Sequence, residues 1–302
     1  MKTKVYISAW LKRDKNQQGK FGLDVYNLLR NIEGLEIIEI QHHQKNSWCR
    51  DYMPVKRADG KLVQFKYFPG YMQQIKRWEN SFPDTKKVIA GLRKNGIDQE
   101  IIQSNIILDG GAIEVLGDKA IVSDRVFRDN IDKNPEEILN EIKMKLALKK
   151  LIVIPQDPYD VYGHVDGLAR FIDDKRVLIN DLSGLVDEIH REKRKKKSIN
   201  YYLIKLLEQW YYNFLMAFEN AGLKTETLTC TAYGTDGNKN KNGLYINFLK
   251  LDNLIVMPSF KQDEDNKAAQ KLQDLYFRRI IQIDAKKLAE EGGLINCVTW
   301  NY

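Results

Sequence analysis

Gly163-His164-Val165-Asp166-Gly167-Leu168-Ala169-Arg170-Phe171-Ile172-Asp173-Asp174-Lys175-Arg176-Val177-Leu178-Ile179-Asn180 sets a reactive motif directly ahead of a hairpin. Leu168 to Ile172 reads as a strand. Asp173-Asp174 supplies the turn, because a short acidic side chain can accept from the backbone two residues on. Arg176 to Asn180 returns. The same arrangement recurs outward in both directions. Pro54 to Arg57 and Lys61 to Phe65 flank Ala58-Asp59-Gly60. Ala112 to Leu116 and Lys119 to Ser123 flank Gly117-Asp118. Tyr245 to Leu251 and Leu254 to Pro258 flank Asp252-Asn253. Each is a hairpin signal. Leu294 to Trp300 reads as a last strand with no return strand, since the chain ends there.

Helical periodicity fills the intervals. Helices are expected over Phe21 to Asn31, Asp84 to Lys94, Asn200 to Asn220, Asp263 to Phe277 and Ala285 to Glu290. Another opens at Asn134-Pro135-Glu136-Glu137 and runs to about Leu148. There a cap, a first-turn proline and two acids suited to the helix dipole stand in order.

Motif, hairpin, helix and strand therefore form one repeated unit. Asp51, Asp109, Asp166, Asn247 and Cys297 fall at comparable points, 58, 57, 81 and 50 residues apart. A period near fifty residues suggests blades around an axis. A doubly wound sheet competes, but it needs mostly parallel strands, and hairpins imply antiparallel pairs. The expected fold is a closed, five-bladed, pseudo-symmetric α/β propeller in a single domain over 1–302.

The chain has 302 residues, a net charge of +7 and ordinary apolar content, which excludes wholesale disorder. No run approaches the ~18 apolar residues of a membrane span. The first residues alternate like a strand and lack a signal-type apolar core, so a cytoplasmic protein without a membrane partner is expected. Cys49, Cys230 and Cys297 are odd in number and contain no CxxC, against a disulfide scaffold or structural zinc. The basic run Arg191 to Lys197 lacks interleaved aromatics, which argues against nucleic acid. A homo-oligomer stays open.

The chemistry-bearing residues suit a guanidinium. That planar cation is held well by paired carboxylate acceptors. It is attacked well by sulfur with histidine nearby. Asp166 follows His164 by two, which on a strand places both on one face. Trp48 offers a π face, and Arg50 and Asp51 follow it. Asp109 precedes two glycines without a P-loop helix behind it. Cys297 follows a glycine pair, and Cys49 competes with it as nucleophile. His42 and His43 point opposite ways on a strand, so no metal site is expected.

Together these motifs resemble the guanidine-modifying enzymes of the pentein fold, in the branch of agmatine deiminases and bacterial peptidylarginine-deiminase-type proteins. The resemblance rests on Trp48 to Pro54, Asp109-Gly110-Gly111, Gly163 to Asp166, Tyr245-Ile246-Asn247-Phe248 and Gly293 to Thr299, in order over nearly the whole chain. It implies that Cys297 is the nucleophile, that Asp51 and Asp166 grip the guanidinium, and that His164 acts as acid and then base. It implies substrate binding by Trp48, Asp109, Asn247 and Arg50, with no metal or organic cofactor. Agmatine is the substrate expected from the branch. Free or peptidyl arginine, amidino transfer, and a non-catalytic arginine-peptide or nucleic-acid binder are the alternatives. The chain departs from the family at Asp109, where Glu is frequent, and at Asn296, where His is common. A lid is expected over Thr231 to Gly243.

Overall fold

In the computed structural model the hairpin that opens the sequence reading forms as a turn held by one side chain. Asp173 Oδ1 accepts from the backbone N–H groups of Lys175 and Arg176, both at 2.9 Å. The structure describes residues 2–13, 21–41, 45–73, 82–183, 201–232 and 241–302, and of 73 and 201–204 only the backbone. The basic run, His42, His43 and residues 233–240 of the expected lid lie outside them.

Fifteen strands among the described residues form five three-stranded sheets. In chain order they are β1 (Thr3–Ser8), β2 (Leu35–Ile40), β3 (Val55–Lys56), β4 (Leu62–Lys66), β5 (Ile101–Ile107), β6 (Ile113–Leu116), β7 (Lys119–Ser123) and β8 (Lys150–Ile154). They continue as β9 (Ala169–Phe171), β10 (Arg176–Asp181), β11 (Lys224–Thr229), β12 (Leu249–Lys250), β13 (Leu254–Ser259), β14 (Arg279–Asp284) and β15 (Trp300–Asn301). Four sheets repeat one plan: an antiparallel hairpin, a helical crossover, and a third strand parallel to the second. They are β3-β4-β5, β6-β7-β8, β9-β10-β11 and β12-β13-β14.

The fifth sheet joins the two chain ends. β1 lies parallel to β2 and antiparallel to β15, with Val5 opposite Asn301 and Tyr6 opposite Trp300. The last strand thus has a partner after all, and that partner is the first strand. This closes the expected five-bladed α/β propeller. Each sheet mixes one parallel and one antiparallel pair, so the hairpins excluded a wholly parallel sheet but not parallel pairing.

The crossover helices are α1 (Phe21–Arg30), α2 (Thr85–Lys94), α3 (Pro135–Leu146), α4 (Tyr201–Asn220) and α5 (Glu264–Tyr276). Asp84 and Asn134 cap two of them, accepting from Lys86 N at 2.9 Å and Glu136 N at 2.8 Å. Such a cap contributes about 1 kcal/mol. α3 stops at Leu146 because Ala147 turns left-handed, with φ 53°. Buried rows at helical spacing, such as Val88 and Leu92, or Ile138, Ile142 and Leu146, face the sheets. Each fully buried aliphatic side chain contributes roughly 1.5–3 kcal/mol. No helix among the described residues is long and apolar enough to cross a membrane.

Two local expectations are corrected. Tyr245 to Phe248 and Leu294 to Thr299 are irregular, leaving only β12 and β15 as strand. His164 and Asp166 are not on a strand: Val165–Gly167 is a 3-10 turn, with His164 in extended backbone before it. Apolar residues at 245–248 and 294–299 have no strand opposite to pair with, and the two-residue spacing of His164 and Asp166 belongs to a turn. The buried backbone is instead served by turns and side chains, as where Thr299 Oγ1 donates to Ile295 O at 2.7 Å.

Candidate active site

The irregular segments at the starts of the units converge on one cavity of about 580 Å3. Trp48, Asp51, His164, Asp166, Asn247 and Cys297 all line it. Asp51 reaches it from the one-turn helix Cys49–Tyr52. Asp166 comes from the 3-10 turn, whose Gly167 carbonyl accepts from Asn180 Nδ2 at 2.8 Å. Asn247 is fixed through its neighbours: buried Arg170 donates to the carbonyls of Ile246 at 3.4 Å and Phe248 at 2.8 Å. Cys297 follows Asn296, whose backbone N–H donates to Asn247 Oδ1 at 3.1 Å. The Cys297 thiol donates to that same oxygen at 3.5 Å.

His164 stands between two carboxylates. Nε2 is 3.2 Å from Asp109 Oδ2 and Nδ1 is 3.7 Å from Asp51 Oδ1. Tyr71 donates to the same Asp109 oxygen at 2.9 Å. Gly111 is what lets the three groups close up. A Cβ there would lie 2.5 Å from His164 Nδ1 and 2.8 Å from Asp51 Oδ1. Gly293 has a similar reason, since a Cβ on it would overlap the Trp48 indole.

The electrostatics follow from burial among carboxylates. Burial alone would depress the His164 imidazole, but Asp51, Asp109 and Asp166 override it and raise it to about 9. Asp51 is raised to about 7, by burial first and by Asp109 and Asp166 against the pull of His164. Burial, Asp166 and Asp51 push the Cys297 thiol well above its ordinary value. At neutral pH the cavity therefore holds a thiol, an imidazolium and acceptor carboxyl groups. One oxygen on each of Asp51 and Asp166 is buried without a hydrogen-bond partner. A guanidinium supplies the missing donors, and its charge favours the thiolate.

Two of the predicted binding residues stand elsewhere. Arg50 turns away from this cavity and lines a second one, donating to Asn296 O at 3.3 Å and Asn301 Oδ1 at 3.4 Å. Asp109 stands behind His164 and does not line the cavity. Cys49 is fully buried with its thiol toward the Tyr6 carbonyl at 3.6 Å, and burial pushes it up to about 12. It does not reach the cavity.

Sequence reasoning missed several residues. Tyr71 and Tyr162 wall the imidazole, their rings 5.2 Å apart and perpendicular. Asn296 Nδ2 donates to Asp166 Oδ2 at 2.7 Å and so orients it. Its place beside Cys297 was the available signal. Lys241 and Asp160 pair at 2.9 Å at the cavity wall.

The Porphyromonas-type peptidyl-arginine deiminase family model matches residues 4–302. The chain belongs to that family. A Latilactobacillus sakei relative, provisionally named an agmatine deiminase, is 24% identical over 306 residues, covering 88% of this chain and 77% of its own length. The C. jejuni agmatine deiminase structure superposes with a TM-score of 0.69 at 17% identity, over 99% of this chain and 92% of that one. A dimethylarginine dimethylaminohydrolase structure superposes with a TM-score of 0.58 at 12% identity over all of both chains. The family member thus has the pentein propeller fold, and at these identities the superpositions speak to fold alone.

Proposed function

We propose that this chain is a single-domain guanidine hydrolase that converts agmatine and water to N-carbamoylputrescine and ammonia. The observation that carries the reading is the meeting of Cys297, His164, Asp51 and Asp166 on one cavity. Asp51 and Asp166 accept from the guanidinium and hold its carbon near sulfur, where positioning alone is worth several orders of magnitude. The bound cation draws the thiol proton off to solvent. Cys297 Sγ then bonds to the guanidinium carbon. His164 gives its proton to the departing nitrogen, ammonia leaves, and a thiouronium remains on sulfur. The neutral imidazole takes a proton from water, whose oxygen attacks the same carbon. The carbon–sulfur bond breaks to give the ureido product and restore the thiolate. Asp109 and Tyr71 hold the imidazole during both roles. Trp48 lines the substrate path, and Asn247 orients the thiol.

Agmatine is favoured over arginine by the name of the L. sakei relative. The test is ureido product across agmatine, free arginine and blocked arginine peptides. Product from agmatine alone supports the reading. Citrulline from a peptide without product from agmatine selects protein deimination instead, and no product from any overturns the hydrolase.

A further inference from the structure

Directly behind the catalytic loop lies a second cavity, of about 180 Å3. Its charge is one-sided. Arg50, Lys56, Arg170 and Lys250 line it, against the single carboxylate of Glu114. Glu114 is already engaged, 3.2 Å from Arg170 Nε and 3.7 Å from Lys250 Nζ. Among the described residues the Arg50 side chain hydrogen-bonds only neutral acceptors, the Asn296 carbonyl and the Asn301 side chain. Among the described residues no carboxylate pairs with it. Lys56 stands at the rim with its ammonium over the Tyr302 ring, 4.6 Å from the centroid.

A half-buried guanidinium with no carboxylate in ion-pair reach, beside Arg170 and Lys250 that share the one carboxylate of Glu114, is costly unless an anion joins it. Burial pulls Arg50 and Lys250 below their usual values and Arg170 adds to both shifts, with Glu114 offsetting part of each. A guanidinium fork matches an oxyanion in geometry as well as charge. We infer that this second cavity is a binding site for a small oxyanion, phosphate-like or carboxylate, held by Arg50, Lys250 and Lys56. The site abuts the reaction centre without opening on it. Arg50 bonds the Asn296 carbonyl, its own N–H donates to the Cys297 carbonyl at 3.1 Å, and Asn296 orients Asp166. An oxyanion on Arg50 therefore touches the frame of the catalytic loop.

The experiment is calorimetric titration of the full chain, at low ionic strength, with inorganic phosphate and separately with acetate. Lys250→Gln and Lys56→Gln are the variants, and Lys12→Gln is the control. Lys56 is exposed, so its variant folds even where the Lys250 change disturbs the core. The inference expects saturable binding of at least one of the two anions with a dissociation constant below ~10 mM, weakened tenfold or more in Lys250→Gln and threefold or more in Lys56→Gln, and unchanged in Lys12→Gln. Phosphate alone identifies a tetrahedral ligand, and acetate alone a carboxylate. Absence of saturable binding by both, or binding indifferent to both variants, overturns it. The readout needs no turnover, so it stands apart from the fate of the proposed reaction.

Discussion

Gly111→Ala tests whether the close approach of His164 and Asp51 matters. The added methyl carbon would sit 2.5 Å from His164 Nδ1 and 2.8 Å from Asp51 Oδ1. An ordinary contact needs ~3.5 Å, so the imidazole must retreat by about 1 Å. His164 cannot do so while keeping its 3.2 Å contact with Asp109. A displacement of that size costs about 100-fold in rate. The crowding itself costs ~1–3 kcal/mol of stability. The assay is ureido product from agmatine under saturation, with a denaturant melt on the same preparation. A fall of 30-fold or more in kcat, in a protein that still unfolds cooperatively, is expected. A variant within threefold of the parent would show that the site tolerates a shifted imidazole, and the proposed acid–base role of His164 would fail.

Further outcomes follow from the same geometry. Cys297→Ala should be inactive and Cys49→Ala should keep most activity, read as ammonia release, because only the first thiol lines the cavity. Tyr71→Phe removes the donor to Asp109, worth ~1.5–3 kcal/mol to a charged acceptor. A roughly tenfold or greater loss in kcat with little change in KM is expected from initial rates. Asn296→Ala frees the Asp166 oxygen it orients, and should raise KM more than it lowers kcat. The imidazole, raised from 6.5 to about 9 in the native protein, contributes stability that is full below pH ~6.5 and lost as pH rises through about 9. Melts of the parent should weaken over that window, and His164→Asn should flatten the change. A parent curve level from pH 6.5 to 9.5 would contradict the raised imidazole.

The repeat was legible because its signals are local. Asp173 and Asp59 make turns from their own side chains, and Asn134 and Asp84 cap helices within two residues. The strand pairing that closes the ring was not, because Trp300 and Tyr6 lie almost a chain length apart. In the site, Cys297, His164, Asp51 and Asp166 stood out by residue type beside glycines. Arg50 was misplaced because adjacency to Asp51 says nothing of direction on a one-turn helix, where neighbours point about 100° apart. Asp109 was assigned to substrate rather than to His164, since a contact across 55 positions leaves no periodic trace. Tyr71 and Tyr162 stand in no motif, and only the fold turns them toward the imidazole.

Acid quenching of the parent protein within its first turnovers on agmatine, followed by peptide mass mapping, bears most directly on the proposed chemistry. The peptide containing Cys297 should gain the mass of agmatine less ammonia, while those containing Cys49 and Cys230 stay unchanged. Continuing turnover with no added mass on Cys297, or with the added mass on another cysteine, would contradict a thiouronium formed at the C-terminal thiol.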